Sequence, residues 1–216
     1  MPETNMEAAP QSSKTKLLDA ALLVIRSKGY TAATLDDICV AAGVTKGSYF
    51  HYFKSKEAMA LQAVEYWNTM TGGLFAQAPY TLITDPRDRV LAYIDFRVEI
   101  LQGELPHYTC LLGTMVQDLY ETNPRIRDAC NAGIRGHAAT IAADLALAKA
   151  RYVPEADWDP MVVALYTQAT IQGAFILAKA EGGPQIAEQC IHLLRRHVAS
   201  LLGLHHEALQ YKELTA

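Results

Sequence analysis

What this sequence is short of narrows its identity first. None of its 216 residues lie in a stretch that alternates apolar and polar side chains long enough to form a strand, so the chain is read as all-α. No run of 18 uncharged apolar residues occurs. The best candidate, 164–178, is interrupted by Gln168 and Gln172, so no membrane partner is expected. The N-terminus lacks a basic segment followed by an apolar one and carries Glu3 and Glu7 instead, which argues against a signal peptide. A soluble, cytoplasmic protein is expected. Only four cysteines are present (39, 110, 130 and 190), far apart and without a CxxC pair. They are expected to be reduced thiols rather than a disulfide frame or metal set. Two ExxH motifs together, HExxH and a Gly-rich phosphate loop are also missing, which leaves no ligand set for a metal, no cofactor and no catalytic residues. An enzyme is not expected.

What the chain does have is charge in the wrong place for its average. The formal charge is −4, which by itself argues against a polyanion partner. Residues 14–56, however, hold seven Lys/Arg against three acids, a net +4, whereas 57–216 hold twelve against eighteen, a net −6. A small basic module attached to a larger acidic body is the pattern of a protein whose one end meets nucleic acid.

Helical signals divide the chain. Residues 1–12 (MPETNMEAAPQS) are polar and read as a tail, as do 205–216. Leu17, Leu18, Ala21, Leu22, Val24 and Ile25 recur at helical spacing until Gly29. Thr34 and Asp37 suggest a capping box for a helix over 35–42, ended by Gly43. Thr45 caps a helix over 46–52, and Ser55 one that runs to about 77. Three Asx-Pro pairs, Asp85-Pro86, Asn123-Pro124 and Asp159-Pro160, each start a later helix. The first is expected to reach about 103, a shorter helix to fill 108–120, and Pro184 to start the last. Domains are read as 13–56 and 57–204.

Two short helices joined through Gly43-Val44, with a longer one before them, make a helix-turn-helix. Its second short helix enters the major groove N-terminus first, which presents Thr45, Lys46, Gly47 and Ser48. Lys46 can reach a guanine edge or a phosphate, and Gly47 lets the backbone approach. In the run Tyr49-Phe50-His51-Tyr52-Phe53, residues 49, 50 and 53 are expected to face the core. His51 and Tyr52 are left for phosphates. Lys54 and Lys56 begin the next helix, where a phosphate is also favoured.

The segment KLLDAALLVIRSKGYTAATLDDICVAAGVTKGSYFHYFKSKEAM resembles the DNA-binding domain of the TetR family of bacterial transcriptional regulators. The resemblance implies an Ω-shaped homodimer of about nine helices per subunit, a variable ligand-binding body, and repression relieved when a small-molecule inducer binds. Carried over by position, it places contacts with double-stranded operator DNA on Thr34, Thr45, Lys46, Gly47, Ser48, His51, Tyr52 and Lys56. One departure is Phe50-His51, where members often carry Tyr-Tyr or Tyr-Trp. The body segment Cys110-Leu-Leu-Gly resembles that of a subgroup with N-ethylmaleimide-responsive and acrylate-responsive repressors, although Thr109 stands where a glycine is usual.

Aromatic and sulfur side chains of the body (Tyr66, Trp67, Met70, Phe75, Tyr93, Phe96, Met115, Tyr166, Phe175) are mostly expected to pack, with a minority lining a cavity. Polar groups on apolar faces are the candidates to orient a ligand: Arg97, His107, Thr114, Gln117, Gln168 and Gln172. With Trp67, Met70, Phe96 and Cys110 they form the expected pocket. Cys110 is expected near a helix N-terminus and beside His107, where a thiol is activated. Reaction with an electrophilic inducer and inert packing are both open to it. The last two helices are expected to pair with their copies through Ala164, Gln168, Ile171, Phe175, Leu194, Val198 and Leu201, the alternative for these faces being an internal core only.

Rival readings are weaker. Gly43-Val-Thr-Lys-Gly47 outlines a nucleophile elbow but has no strand before it, and His205-His206-Glu207 is a solvated tail more readily than a metal site. A dimeric helical carrier without DNA function is the surviving alternative, separable by a salt-dependent shift of operator DNA.

Overall fold

The computed structural model describes residues 11–204. The 205–216 tail with its His205-His206-Glu207 trio, and nearly all of the 1–12 tail, lie outside the described residues. The described residues form ten α-helices and one short 3-10 turn, with no strand.

Each helix of the N-terminal part is started by a side-chain oxygen. Ser12 accepts from the Thr15 amide ahead of α1 (Ser13–Lys28). Thr34 and Asp37 exchange both bonds of a capping box ahead of α2 (Leu35–Ala42), which Gly43 ends at φ 63°, in the left-handed region that a Cβ disfavours. Thr45 caps α3 (Lys46–Tyr52) and Ser55 caps α4 (Lys56–Ala76). Tyr49 and Phe53, four residues apart, lie on the inner side of α3 with ring centroids 5.4 Å apart and join the core of Leu22, Ile25 and Ile38. Phe50 does not join them. It is rotated a further 100° around the helix and is 58% exposed.

The three Asx-Pro pairs all cap as expected. Asp85 opens α5 (Pro86–Glu99). Asn123 and Asp159 cap two later helices in the same way. Helix α5 stops a turn before Gly103, because Leu101 bonds back to Val98 in a tighter turn. Where one helix over 108–120 was expected there are two, α6 (Leu105–Tyr108) and α7 (Leu111–Leu119), broken at extended Thr109 and Cys110. The long α8 (Pro124–Tyr152) and α9 (Pro160–Glu181) follow, then α10 (Gln185–Leu201).

Two cores result. Residues of α1–α4 form the first, completed by Leu111, Leu112 and Met115 of α7 and by Ile126 and Cys130 of α8. The second is built from α5, α8, α9 and α10. Cys110 packs against both. The Gln172 side chain of α9 reaches so close to Gly113 of α7 that an added Cβ would meet its Oε1.

The faces of α9 and α10 expected to meet a second copy are occupied within the subunit. Ala164, Gln168, Ile171, Phe175, Leu194 and Val198 are all buried in it. The apolar surface lies on the opposite side, at Val162, Tyr166, Ile176, Leu177 and Leu193. Its two helices are joined by the Tyr166 and His197 rings, 5.3 Å apart. Helix α9 is long and apolar enough to cross a membrane by length and composition alone, yet nearly half of that stretch is buried in the helical core.

Candidate nucleic-acid interface and cavity

At the N-terminal end, most of the residues expected to contact DNA are exposed. Lys46 and Gly47 open α3 and are exposed, and Ser48 is half-buried. The Thr45 oxygen accepts from the Ser48 amide at 3.2 Å, which fixes the start of α3. His51 and Tyr52 are exposed at the far end, their rings edge to face at 4.8 Å. Thr34 stands at the head of α2, its hydroxyl donating to Asp37 at 2.8 Å. Lys46 pairs with Asp36 at 2.7 Å, an exposed pair that solvent and phosphate compete for readily. Lys56 differs from the rest. Its ammonium turns inward, donating to the Tyr30 carbonyl at 2.6 Å and sitting 4.3 Å from that ring, so it braces the α1–α2 loop.

A cavity of about 690 Å³ is walled by α4, α5, the α6–α7 segment, α8 and α9, with Arg26 of α1. Of the ten residues expected to form a pocket, seven stand on this wall: Trp67, Met70, Arg97, His107, Cys110, Gln168 and Gln172. Three do not. Phe96 packs edge to face on Phe75 and against Tyr80, away from the wall. Thr114 and Gln117 lie one turn further along α7 and line a second cavity of about 270 Å³, which shares Arg26, Cys110, Gln172 and Phe175 with the first.

Sequence reasoning missed Arg26, Tyr108 and His137 on this wall. The signal for Arg26 was present. It continues the row Leu18, Leu22, Arg26 along the buried side of α1, so a charge stood in register with the core. Only 8% of it is exposed. Its Nε donates to the Leu22 carbonyl at 3.0 Å, and its Nη1 to the carbonyls of His107 (3.1 Å) and Thr109 (3.3 Å). The guanidinium also lies 4.9 Å from the Trp67 ring. Burial lowers its pKa to about 10, so it remains a cation. These bonds account for the break between α6 and α7, because they give the last carbonyls of α6 partners outside the helix.

At the other end, Tyr93, His137 and Gln168 form a chain of hydrogen bonds. Gln168 donates to the Tyr93 hydroxyl at 3.1 Å, and that hydroxyl is 2.9 Å from Nε2 of His137. Burial, and then the charge of Arg97, hold His137 down to about 4, so the ring is neutral near pH 7 and can accept from Tyr93. The wall is furnished with hydrogen-bonding groups, and no group of three or more metal-ligating side chains occurs among the described residues.

Comparison with known proteins agrees with this architecture. The family model for bacterial regulatory proteins, tetR family, matches residues 17–63, and that for the tetracyclin repressor-like C-terminal domain matches residues 86–194. The chain is similar to the transcriptional regulator AcuR of Cereibacter sphaeroides, 27% identical over 191 residues that cover 88% of this chain and 87% of AcuR. It is also similar to the HTH-type transcriptional repressor NemR of Escherichia coli, 24% identical over 80% of this chain and 87% of that one. Among solved structures, the regulatory protein TetR from Rhodobacter sphaeroides superimposes with a TM-score of 0.75 at 26% identity, covering 86% of this chain and 98% of that chain. The reduced form of Escherichia coli NemR gives 0.72 at 22% identity, covering 86% and 96%, a likeness of fold. A helix-turn-helix on a two-core helical body, matched by both family models, makes this chain a DNA-binding transcriptional regulator of the TetR family.

Proposed function

We propose that the protein is a ligand-responsive regulator, in the main a repressor. It binds a palindromic operator as a homodimer in the cytoplasm and leaves it when a small molecule fills the 690 Å³ cavity. Residues 13–56 read the operator, and 57–204 bind the inducer and dimerise. The observation that carries this reading is that one cavity wall is shared with the DNA-binding helices. Helix α4 runs from the first core, through Met59, Ala60 and Ala63, to the cavity at Trp67, Met70 and Phe75. Arg26 belongs to α1 and to the wall at once. A ligand that favours one arrangement of α4 and α1 shifts the operator equilibrium by its differential affinity, and couplings of about 1–3 kcal/mol suffice. The outward faces of α9 and α10 supply the apolar surface for pairing.

The test is a mobility shift of the DNA upstream of the gene itself. Binding is expected to weaken as salt rises. Lys46→Ala and Tyr52→Ala are expected to lose specific binding while keeping the wild-type melting temperature, since both side chains are on the surface. If both variants shift the fragment normally, α3 is not the reading helix. A carrier without DNA function would give no shift at all.

A further inference from the structure

The cavity holds a charge that no ion pair among the described residues balances. Arg97 is 8% exposed and forms no ion pair among the described residues. Its guanidinium lies over the faces of Phe75 (5.1 Å) and Phe175 (5.9 Å), and its Nε is buried without a hydrogen-bond partner. The polar group it does reach, the Tyr93 hydroxyl, is already shared with Gln168 and His137. Tyr108, with its ring centroid 6.2 Å from that of Phe175, is buried with its own hydroxyl unpartnered. Arg26 adds a second buried cation to the same wall, and no Asp or Glu is among the residues lining it. Acids in the neighbourhood are engaged elsewhere or off the wall. Asp95 pairs with Arg195 at 2.6 Å and Asp144 with Arg89 at 2.7 Å, while Glu188 is felt by Tyr108 but does not line the cavity. A buried cation without a counter-charge, beside an unfilled hydroxyl donor, is costly unless an acceptor arrives from outside.

We infer that the cavity takes an organic carboxylate with an apolar body, its charged end seated between Arg97 and Tyr108 at the edge of Phe175. The seat depends on the regulator reading only for its effect on DNA. One planar guanidinium fork suits the two oxygens of a carboxylate, and the neighbouring phenol adds a third donor. A phosphate dianion would need more donors than this end of the cavity presents. A neutral carbonyl would leave Arg97 unbalanced. Trp67, Met70, Leu74, Ile100 and Leu112 line the remainder, and a cavity of this volume houses a body of aromatic or medium-chain aliphatic size.

The experiment compares 4-phenylbutyrate and octanoate with their neutral primary amides, by calorimetry and thermal shift on the full chain without DNA. Each carboxylate is expected to bind at least about tenfold more tightly than its amide, the discrimination of a charge-assisted bidentate contact. Arg97→Met is expected to abolish that preference, and Tyr108→Phe to reduce it severalfold. Arg97→Lys, which keeps the charge without the fork, should fall between. Circular dichroism checks that each variant is folded. If Arg97 variants do not fold, the wild-type comparison and Tyr108→Phe decide. Equal affinity for acid and amide, binding of none of the four at millimolar concentration, or a preference that survives in folded Arg97→Met would each overturn the inference. Carboxylate preference in a protein that fails to shift its own upstream DNA would instead refute the regulator reading and leave the anion seat standing.

Discussion

The guanidinium of Arg26 donates to the carbonyl of His107 at 3.1 Å, joining α1 to the α6–α7 segment across 81 positions of sequence. The same nitrogen holds the Thr109 carbonyl, one residue before Cys110. Anything that enters the cavity beside Cys110 therefore meets a direct link to the first DNA-binding helix. Arg26→Met keeps most of the side-chain volume and removes the donors. Buried carbonyls left without them are expected to lower stability by about 2–3 kcal/mol in chemical denaturation. Ligand-driven release of DNA should weaken with it, because the link between wall and α1 is gone. A variant as stable as wild type and equally inducible would show that Arg26 is a bystander.

Pairing of subunits is expected to use Tyr166, Leu177 and Leu193, which the subunit leaves exposed. Leu177→Glu with Leu193→Glu places like charges across any twofold built on this face. Sedimentation should then give a folded monomer that no longer binds a palindromic site. A dimer that survives the double substitution would move the interface elsewhere.

Much of the N-terminal part was legible in the sequence because its determinants are local. The Thr34, Thr45 and Ser55 caps and the left-handed Gly43 are set by residues within a few positions, and α2 and α3 follow from them. Phe50 was misjudged because a run of five aromatics has no visible polar face to orient it. The outer and inner sides of α9 and α10 were interchanged for a related reason. Both sides are apolar, with Gln168 and Thr167 on the inner one, so periodicity alone does not say which meets the subunit's own core. The break at Thr109-Cys110 depends on an arginine more than eighty residues away. His137 on the cavity wall likewise depends on partners contributed by α5 and α9. Contacts of that kind are set by tertiary packing and leave no local pattern.

Cys110 is expected to be the first thiol to react. It lines both cavities and is half-buried, whereas Cys39 and Cys130 are enclosed. Burial pushes the Cys130 thiol up to about 12 and raises Cys39, which keeps both in the unreactive form. After brief N-ethylmaleimide treatment, peptide mass spectrometry should find the label on Cys110 ahead of the half-buried Cys190. DNA release by the reagent should disappear in Cys110→Ser. An unlabelled Cys110 in the native protein would reduce it to a packing residue.

His137 is expected to make the protein acid-sensitive in a defined window. Its pKa falls from an ordinary 6.5 to about 4 in the folded chain, first through burial and then through the charge of Arg97. Between those values the unfolded chain takes up a proton that the folded chain refuses, so stability falls as pH falls. The contribution is whole above about pH 6.5 and is lost progressively toward pH 4, to a total of about 2–3 kcal/mol. The other groups facing the ring do not titrate there. The Tyr93 phenol is pushed further upward by burial. Asp85, whose carboxyl is held low by Tyr152, loses its contribution only at more acidic pH. Denaturation measured from pH 7 to pH 4 should therefore show a slope that His137→Gln flattens. Bound 4-phenylbutyrate should flatten it too, because a carboxylate on Arg97 offsets the charge that helps hold the proton off. An unchanged slope in His137→Gln would mean that the ring is not the group titrating.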